Sequence, residues 1–106
     1  MVTGTPGGRT IINTVLQTIL NVVDHGMNAQ AAVDAGRIHH QWLPDRINYE
    51  RQSFSPDTLN ILTWLGHNLN ERTNQGSAHI IVVNHEDQWL EGGIDRRSPT
   101  SGASFY

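Results

Sequence analysis

The sequence predicts an α+β fold, helices layered on antiparallel strands, and three observations carry that prediction. Apolar residues at Ile11, Ile12, Val15, Leu16, Ile19, Leu20 and Val23 recur at helical spacing and are expected to give one broad buried face. His79-Ile80-Ile81-Val82-Val83 is β-branched at every position after the histidine and has the length of a strand. Between them, Ser55-Pro56-Asp57 is the strongest helix start in the chain. In chain order the elements read α, α, β, β, α, β, β, β, which suits layered α+β packing. With 106 residues and no internal repeat or linker, residues 1–106 read as one small domain with a modest core.

The first helix is expected over Thr10–His25, with Gly26 as its stop and His25 at the end where partial positive charge is favoured. Asn28 can cap a short second helix, Ala29–Ala35, closed by Gly36. Arg37–Tyr49 reads as extended, interrupted at Pro44-Asp45. Ser55 then caps the third helix, Pro56 takes the first helical position and Asp57 favours its positive end. Phe54 and Leu59 can form a hydrophobic staple, and Leu59, Leu62 and Leu65 form the buried stripe that Gly66 ends. A strand near His67–Arg72 follows. The His79–Val83 strand should lie with both faces covered. Asn84-His85-Glu86-Asp87 turns it into a partner at Gln88–Glu91, and the Gly-, Ser- and Arg-rich tail from Gly92 to Tyr106 reads as irregular.

Composition excludes several classes of function. There is no cysteine, so disulfides and thiolate metal sites are ruled out. Seven arginines, no lysines and ten acidic residues give a net charge of −3, a poor match to nucleic acid. The apolar runs are too short to span a membrane, and no basic-led signal segment opens the chain.

Pro6-Gly7-Gly8 is the candidate site. Paired glycines at a helix start leave backbone N–H groups uncovered, and the helix dipole adds partial positive charge there. Such a turn can hold an anion, or the oxyanion formed when an acyl group is attacked. On the motif alone, an ordinary glycine pair entering a helix is the plainer reading. Other candidates are weaker. His39 and His40 are adjacent in an extended stretch, so their rings point to opposite faces and cannot share one ion. One ring should pack internally while the other faces outward. Thr10, Thr14 and Thr18 lie four apart with no adjacent base, and a mid-helix threonine bonds back to its own backbone. Arg96-Arg97 suits a carboxylate or phosphate, or an ion pair that ties down the tail.

Thr3-Gly4-Thr5-Pro6-Gly7-Gly8, Ile11-Ile12, Thr14-Val15-Leu16-Gln17, Asp24-His25-Gly26-Met27-Asn28 and Ala32-Val33-Asp34-Ala35 resemble the γ-glutamyltranspeptidase family. So do Arg37-Ile38-His39-His40-Gln41-Trp42-Leu43-Pro44-Asp45 and Phe54-Ser55-Pro56-Asp57-Thr58-Leu59, in the same order. The resemblance implies a portion of an N-terminal-nucleophile hydrolase αββα sandwich, incomplete in this chain. It implies a γ-glutamyltransferase or glutathione hydrolase that works through a threonine acyl-enzyme, without a cofactor or metal. Gly7 and Gly8 would be its oxyanion-hole glycines. The chain matches the C-terminal part of the small subunit, so Met1 would not be the native start. The nucleophilic threonine and the substrate-binding groups would come from upstream small-subunit and large-subunit segments, its partners, and glutathione or another γ-glutamyl compound would be the substrate. A periplasmic or extracellular location is implied as well.

Four departures from the family pattern stand out. Thr5 replaces a serine before Pro-Gly-Gly, Arg9-Thr10 stands where Ser-Arg is usual, Gly36 replaces a proline, and Asp95-Arg96-Arg97 stands for Asp-Pro-Arg-Arg. The first two bear on contacts beside the glycines. Two alternatives stay open: a free-standing, non-catalytic binding or interaction domain that keeps the fold, and a related acylase acting on another amide.

Overall fold

A computed structural model describes residues 1–104 of the chain. Its elements are β1 (Val2–Gly4), a 3₁₀ turn (Gly8–Thr10) that runs into α1 (Ile11–Val23), α2 (Ala29–Asp34), β2 (Ile38–His39), β3 (Ile47–Glu50), α3 (Pro56–Trp64), β4 (Leu69–Arg72), β5 (His79–Asn84) and β6 (Trp89–Ile94). They fall into two compact units, Met1–Asp34 with the chain from Gly76 onward, and Ala35–Gln75.

The first unit is built on an antiparallel sheet of order β1-β5-β6, in which Thr3 faces Ile80 and Ile80 faces Gly93. Its core is Ala29, Val33, Ala78 and Ile80, joined by Val22 and Val82. Fully burying a valine or isoleucine stabilises by about 1.5–3 kcal/mol. Helix α2, six residues long, is far too short to hold by itself, and long-range side chains secure both its ends. The Ala29 N–H donates to Glu91 Oε1 (2.9 Å) and the Ala31 N–H to Asn28 Oδ1 (2.7 Å). Asn21 Nδ2 donates to the Ala32 carbonyl (3.1 Å), and the Arg97 guanidinium to the Val33 carbonyl (2.8 Å). The groups a helix end leaves unpaired thus find partners. The Gln30 amide joins α2 to the sheet: it donates to the Ile94 carbonyl (2.8 Å) and accepts from the Ile94 N–H (3.2 Å). Gly93 must lack a side chain, because a Cβ there would strike the Ala29 carbonyl oxygen.

Several expectations are corrected in this unit. The buried residues of α1 are Thr14 and Thr18, whereas Ile12, Leu16 and Val23 of its apolar stripe are exposed, Ile12 at 76%. Periodicity identifies an amphipathic helix but not which stripe finds cover, and small threonines let the helix approach closely. A Cβ on Gly76 would lie 3.2 Å from Thr14 Oγ1. Thr18 Oγ1 bonds back to the Thr14 carbonyl (2.8 Å), as expected of a mid-helix threonine. In β5 only the Ile80 and Val82 side is covered; Ile81 is 49% exposed and Val83 43%. The strand therefore shows one-sided alternation and not two-sided burial. Strand β1 was not expected, since three residues carry no period. Strand β6 continues past Gly92 to Ile94, paired with β5 throughout, and Gly93 is where α2 approaches.

The second unit holds a sheet of order β2-β3-β4. Strands β2 and β3 are antiparallel, but β3 and β4 are parallel, joined through α3. This βαβ connection departs from the all-antiparallel expectation; parallel neighbours need a crossover of this kind. Ser55 caps α3, its Oγ accepting from the Thr58 N–H (3.2 Å), with Pro56 leading the helix and Asp57 in the first turn. No residue of α3 is fully buried: Leu59 and Leu62 are half-buried and Leu65 is exposed. The Phe54 ring lies 5.8 Å from that of Tyr49. Gly36 is not a left-handed helix stop. A Cβ there would come within 2.6 Å of the Ser53 nitrogen, so close backbone approach demands the glycine.

The interior of this unit is polar. Glu50 Oε2 accepts from the Arg37 N–H (3.0 Å) and Oε1 from the Gln75 N–H (2.6 Å), while the Arg37 guanidinium donates to the Gln75 carbonyl (2.8 Å). The Gln75 side-chain amide returns a bond to the Arg37 carbonyl (3.1 Å), which also accepts from Ser53 Oγ (2.6 Å). Among the described residues no helix is long and apolar enough to cross a membrane.

Candidate functional site

Gly7 and Gly8 sit in the loop between β1 and α1, both exposed. Gly7 has φ +142° and Gly8 φ +57°, a path that side-chain-bearing residues rarely follow. The chain then enters the 3₁₀ turn, and the Ile11 N–H closes onto the Gly8 carbonyl. The Gly7 carbonyl accepts twice, from the Thr10 N–H (3.2 Å) and from Thr10 Oγ1 (3.0 Å). Among the described residues, no acceptor is found for the N–H of Gly7 or of Gly8. Two donors therefore stand open at the N-terminal end of a helical stretch running from Gly8 to Val23.

The loop is framed by residues remote in sequence. Thr5 Oγ1 accepts from the Ser77 N–H (2.9 Å) and donates to the Pro6 carbonyl (2.7 Å). A Cβ on Gly7 would lie 2.6 Å from Thr10 Oγ1 and 3.7 Å from the Gly76 Cα. Gly76 itself has φ +74°, and a Cβ there would lie 2.8 Å from Thr5 Oγ1. Glycine is thus demanded at Gly7 and Gly76 by contact and conformation, and at Gly8 by conformation, its Cβ position being open. Gly76 and Ser77 carry no sequence signal that links them to this loop.

The other candidates sort differently. His39 is 5% exposed and bonded through Nε2 to Gln41 Oε1 (2.9 Å), its Nδ1 buried without a partner. His40 faces outward and meets Asp45 Oδ1 at 3.1 Å. One ring inside and one outside is the arrangement expected of adjacent strand residues. No group of three or more His, Asp or Glu among the described residues could hold a metal ion. Arg97 forms an ion pair with the fully buried Asp95 (3.1 Å), and Arg96 lies 3.5 Å from Asp34 near the surface. Asp95 also accepts from the Ala78 N–H (2.7 Å) and the Arg97 N–H (3.0 Å), so the pair ties down the chain after β6.

A mixed α+β domain of this form occurs in solved γ-glutamyltranspeptidases and in an acylase. An acivicin-inhibited γ-glutamyltranspeptidase superposes with a TM-score of 0.86 at 39% identity, over 91% of this chain and 52% of that one. Cephalosporin acylase from Bacillus halodurans gives 0.79 at 29% identity, over 91% of this chain and 18% of that one. The glutathione hydrolase proenzyme of Escherichia coli K12 is 45% identical over 98 residues, 92% of this chain but 17% of its own length. Residues 1–105 match the γ-glutamyltranspeptidase family, and the chain belongs to that family.

Proposed function

We propose that this chain is the C-terminal segment of the small subunit of a γ-glutamyltransferase or glutathione hydrolase, and that Gly7 and Gly8 supply its oxyanion hole. The carrying observation is the pair of open N–H donors at the head of α1. When a threonine from the preceding part of the enzyme attacks a γ-glutamyl amide, the carbonyl oxygen gains charge that the ground state lacks. Fixed donors aimed at that position stabilise the transition state selectively, and one donor is worth about 2.7–4 kcal/mol of barrier. Collapse of the tetrahedral intermediate breaks the C–N bond and releases the protonated amine, leaving a γ-glutamyl ester on the threonine; water or an acceptor amine then takes the γ-glutamyl group and frees the threonine hydroxyl. On the family resemblance alone, the enzyme works in the periplasm or outside the cell.

In this reading the chain lies within an αββα sandwich completed by upstream segments. Its support is the second face of the β1-β5-β6 sheet, where Val2, Ile81, Val83 and Leu90 are apolar and exposed. The likeness to a cephalosporin acylase supports a second reading, the same architecture acting on another amide.

The test is turnover of a γ-glutamyl anilide. The 106-residue chain is expected to be inactive alone and active once co-expressed with the upstream segments. Proline at position 8 would remove the N–H but cannot adopt φ +57°. Replacing Gly8 by glycolic acid, a backbone ester, deletes the donor and keeps the shape. That change should lower kcat by about two orders of magnitude; an unaltered kcat refutes the assignment. No turnover in any assembly would favour a non-catalytic binding domain.

A further inference from the structure

We infer that Thr5 and Thr10 are positioning residues that aim the two N–H donors, each by holding the carbonyl on the other side of the same peptide bond. The inference rests on the oxyanion reading of Gly7 and Gly8. In a trans peptide the C=O and N–H point in opposite directions, so fixing one fixes the other. Thr5 Oγ1 donates to the Pro6 carbonyl, across the peptide from the Gly7 N–H. Thr10 Oγ1 and the Thr10 N–H both hold the Gly7 carbonyl, across the peptide from the Gly8 N–H. Each donor thus has one threonine hydroxyl that sets its direction.

Glycine makes such devices necessary. A Pro-Gly-Gly turn with nothing to hold it would sample many backbone states, because glycine has the widest conformational freedom of any residue. Donors contribute to a transition state only when they are already aimed at it. The two hydroxyls are secured to different supports. Thr5 is fixed to the segment just before β5 through the Ser77 N–H, with its Oγ1 in the space a Cβ on Gly76 would need. Thr10 belongs to the 3₁₀ turn and moves with α1. Thr10 holds the Gly7 carbonyl through its side-chain hydroxyl as well as its backbone N–H. The short side chain suits it: Oγ1 sits where a Cβ on Gly7 would collide at 2.6 Å.

The experiment uses the chain assembled with its upstream segments and compares Thr10→Val and Thr5→Val, which keep the shape and delete the hydroxyl. With active sites titrated, each is expected to lower kcat roughly tenfold, with KM unchanged and with Thr→Ser restoring the rate. A rise in KM in parallel with the fall in kcat, or a loss that serine does not rescue, would mean a merely structural role and overturns the proposal. Thr5→Val also strips the Ser77 N–H of its acceptor. Should it fail to fold, Thr10→Val decides, with Thr10→Ala read in the same way. The Gly8 ester separates the two levels of inference. An ester without effect defeats the oxyanion reading. A damaging ester beside harmless valine variants defeats the positioning role alone.

Discussion

The two units bury different chemistry. Ala35–Gln75 buries Arg37, His39, Glu50 and Gln75, whereas the unit around β5 buries Ala29, Ala32, Val33, Ala78 and Ile80 together with the hydroxyls of Thr14 and Thr18 and one carboxylate, Asp95. An apolar interior loses stability in proportion to the surface it gives up. A polar interior is steeper: each bonded partner is worth modestly more than water, but removing one strands the others without a partner. The difference suggests where substitution is tolerated. Small apolar changes should be graded in the first unit, and single polar deletions abrupt in the second.

The largest effect should come from the buried carboxylate of the first unit. Asp95→Ala leaves Arg97, whose side chain is 12% exposed, without its carboxylate and the Ala78 N–H without an acceptor. A cost of about 3–5 kcal/mol is expected in urea denaturation. A value below that of Glu50→Ala would break the ranking. Glu50→Ala strips the Arg37 and Gln75 N–H groups of their acceptors together and should cost about 2–3 kcal/mol. If truncation there proves as mild as a surface change, the polar interior does not hold its unit together. Ser55→Ala should cost about 1 kcal/mol, by leaving the Thr58 N–H unpaired. Phe54→Ala should cost more, since it removes an aromatic ring against Tyr49. Ile81→Thr, on the exposed face of β5, should change the stability of the chain alone by less than about 0.5 kcal/mol. A larger loss would show that this face is already covered in the chain, for instance by self-association.

Local signals in the sequence were read correctly where the partner lies within a few residues. Ser55 caps α3 through Thr58, Asn28 caps α2 through Ala31, and the β5–β6 hairpin turns on Asn84, whose Oδ1 accepts from the Glu86 and Asp87 N–H groups. The glycine pair at the head of α1 was legible for the same reason. What escaped depends on distant partners. Glu91 reaches α2 across 62 positions and Ser77 reaches Thr5 across 72, and neither residue type announces such a role. The parallel pairing of β3 with β4 was hidden because a strand's pattern of exposure does not state its neighbour's direction. The inward face of α1 was misread because amphipathic periodicity reports a stripe, not its cover.

The Gln30 amide, described above as a join between α2 and the sheet, has another consequence. It occupies the donor and the acceptor of Ile94 at once, as a neighbouring strand would, but offers no further donor and acceptor for the ladder to continue. Backbone edges recruit other chains by presenting unpaired groups in a row. At Ile94 that row stops, so a foreign strand zipping along β6 from Trp89 would meet an occupied berth at the end of its run. One glutamine thereby restricts how far this edge can be extended by a stray partner.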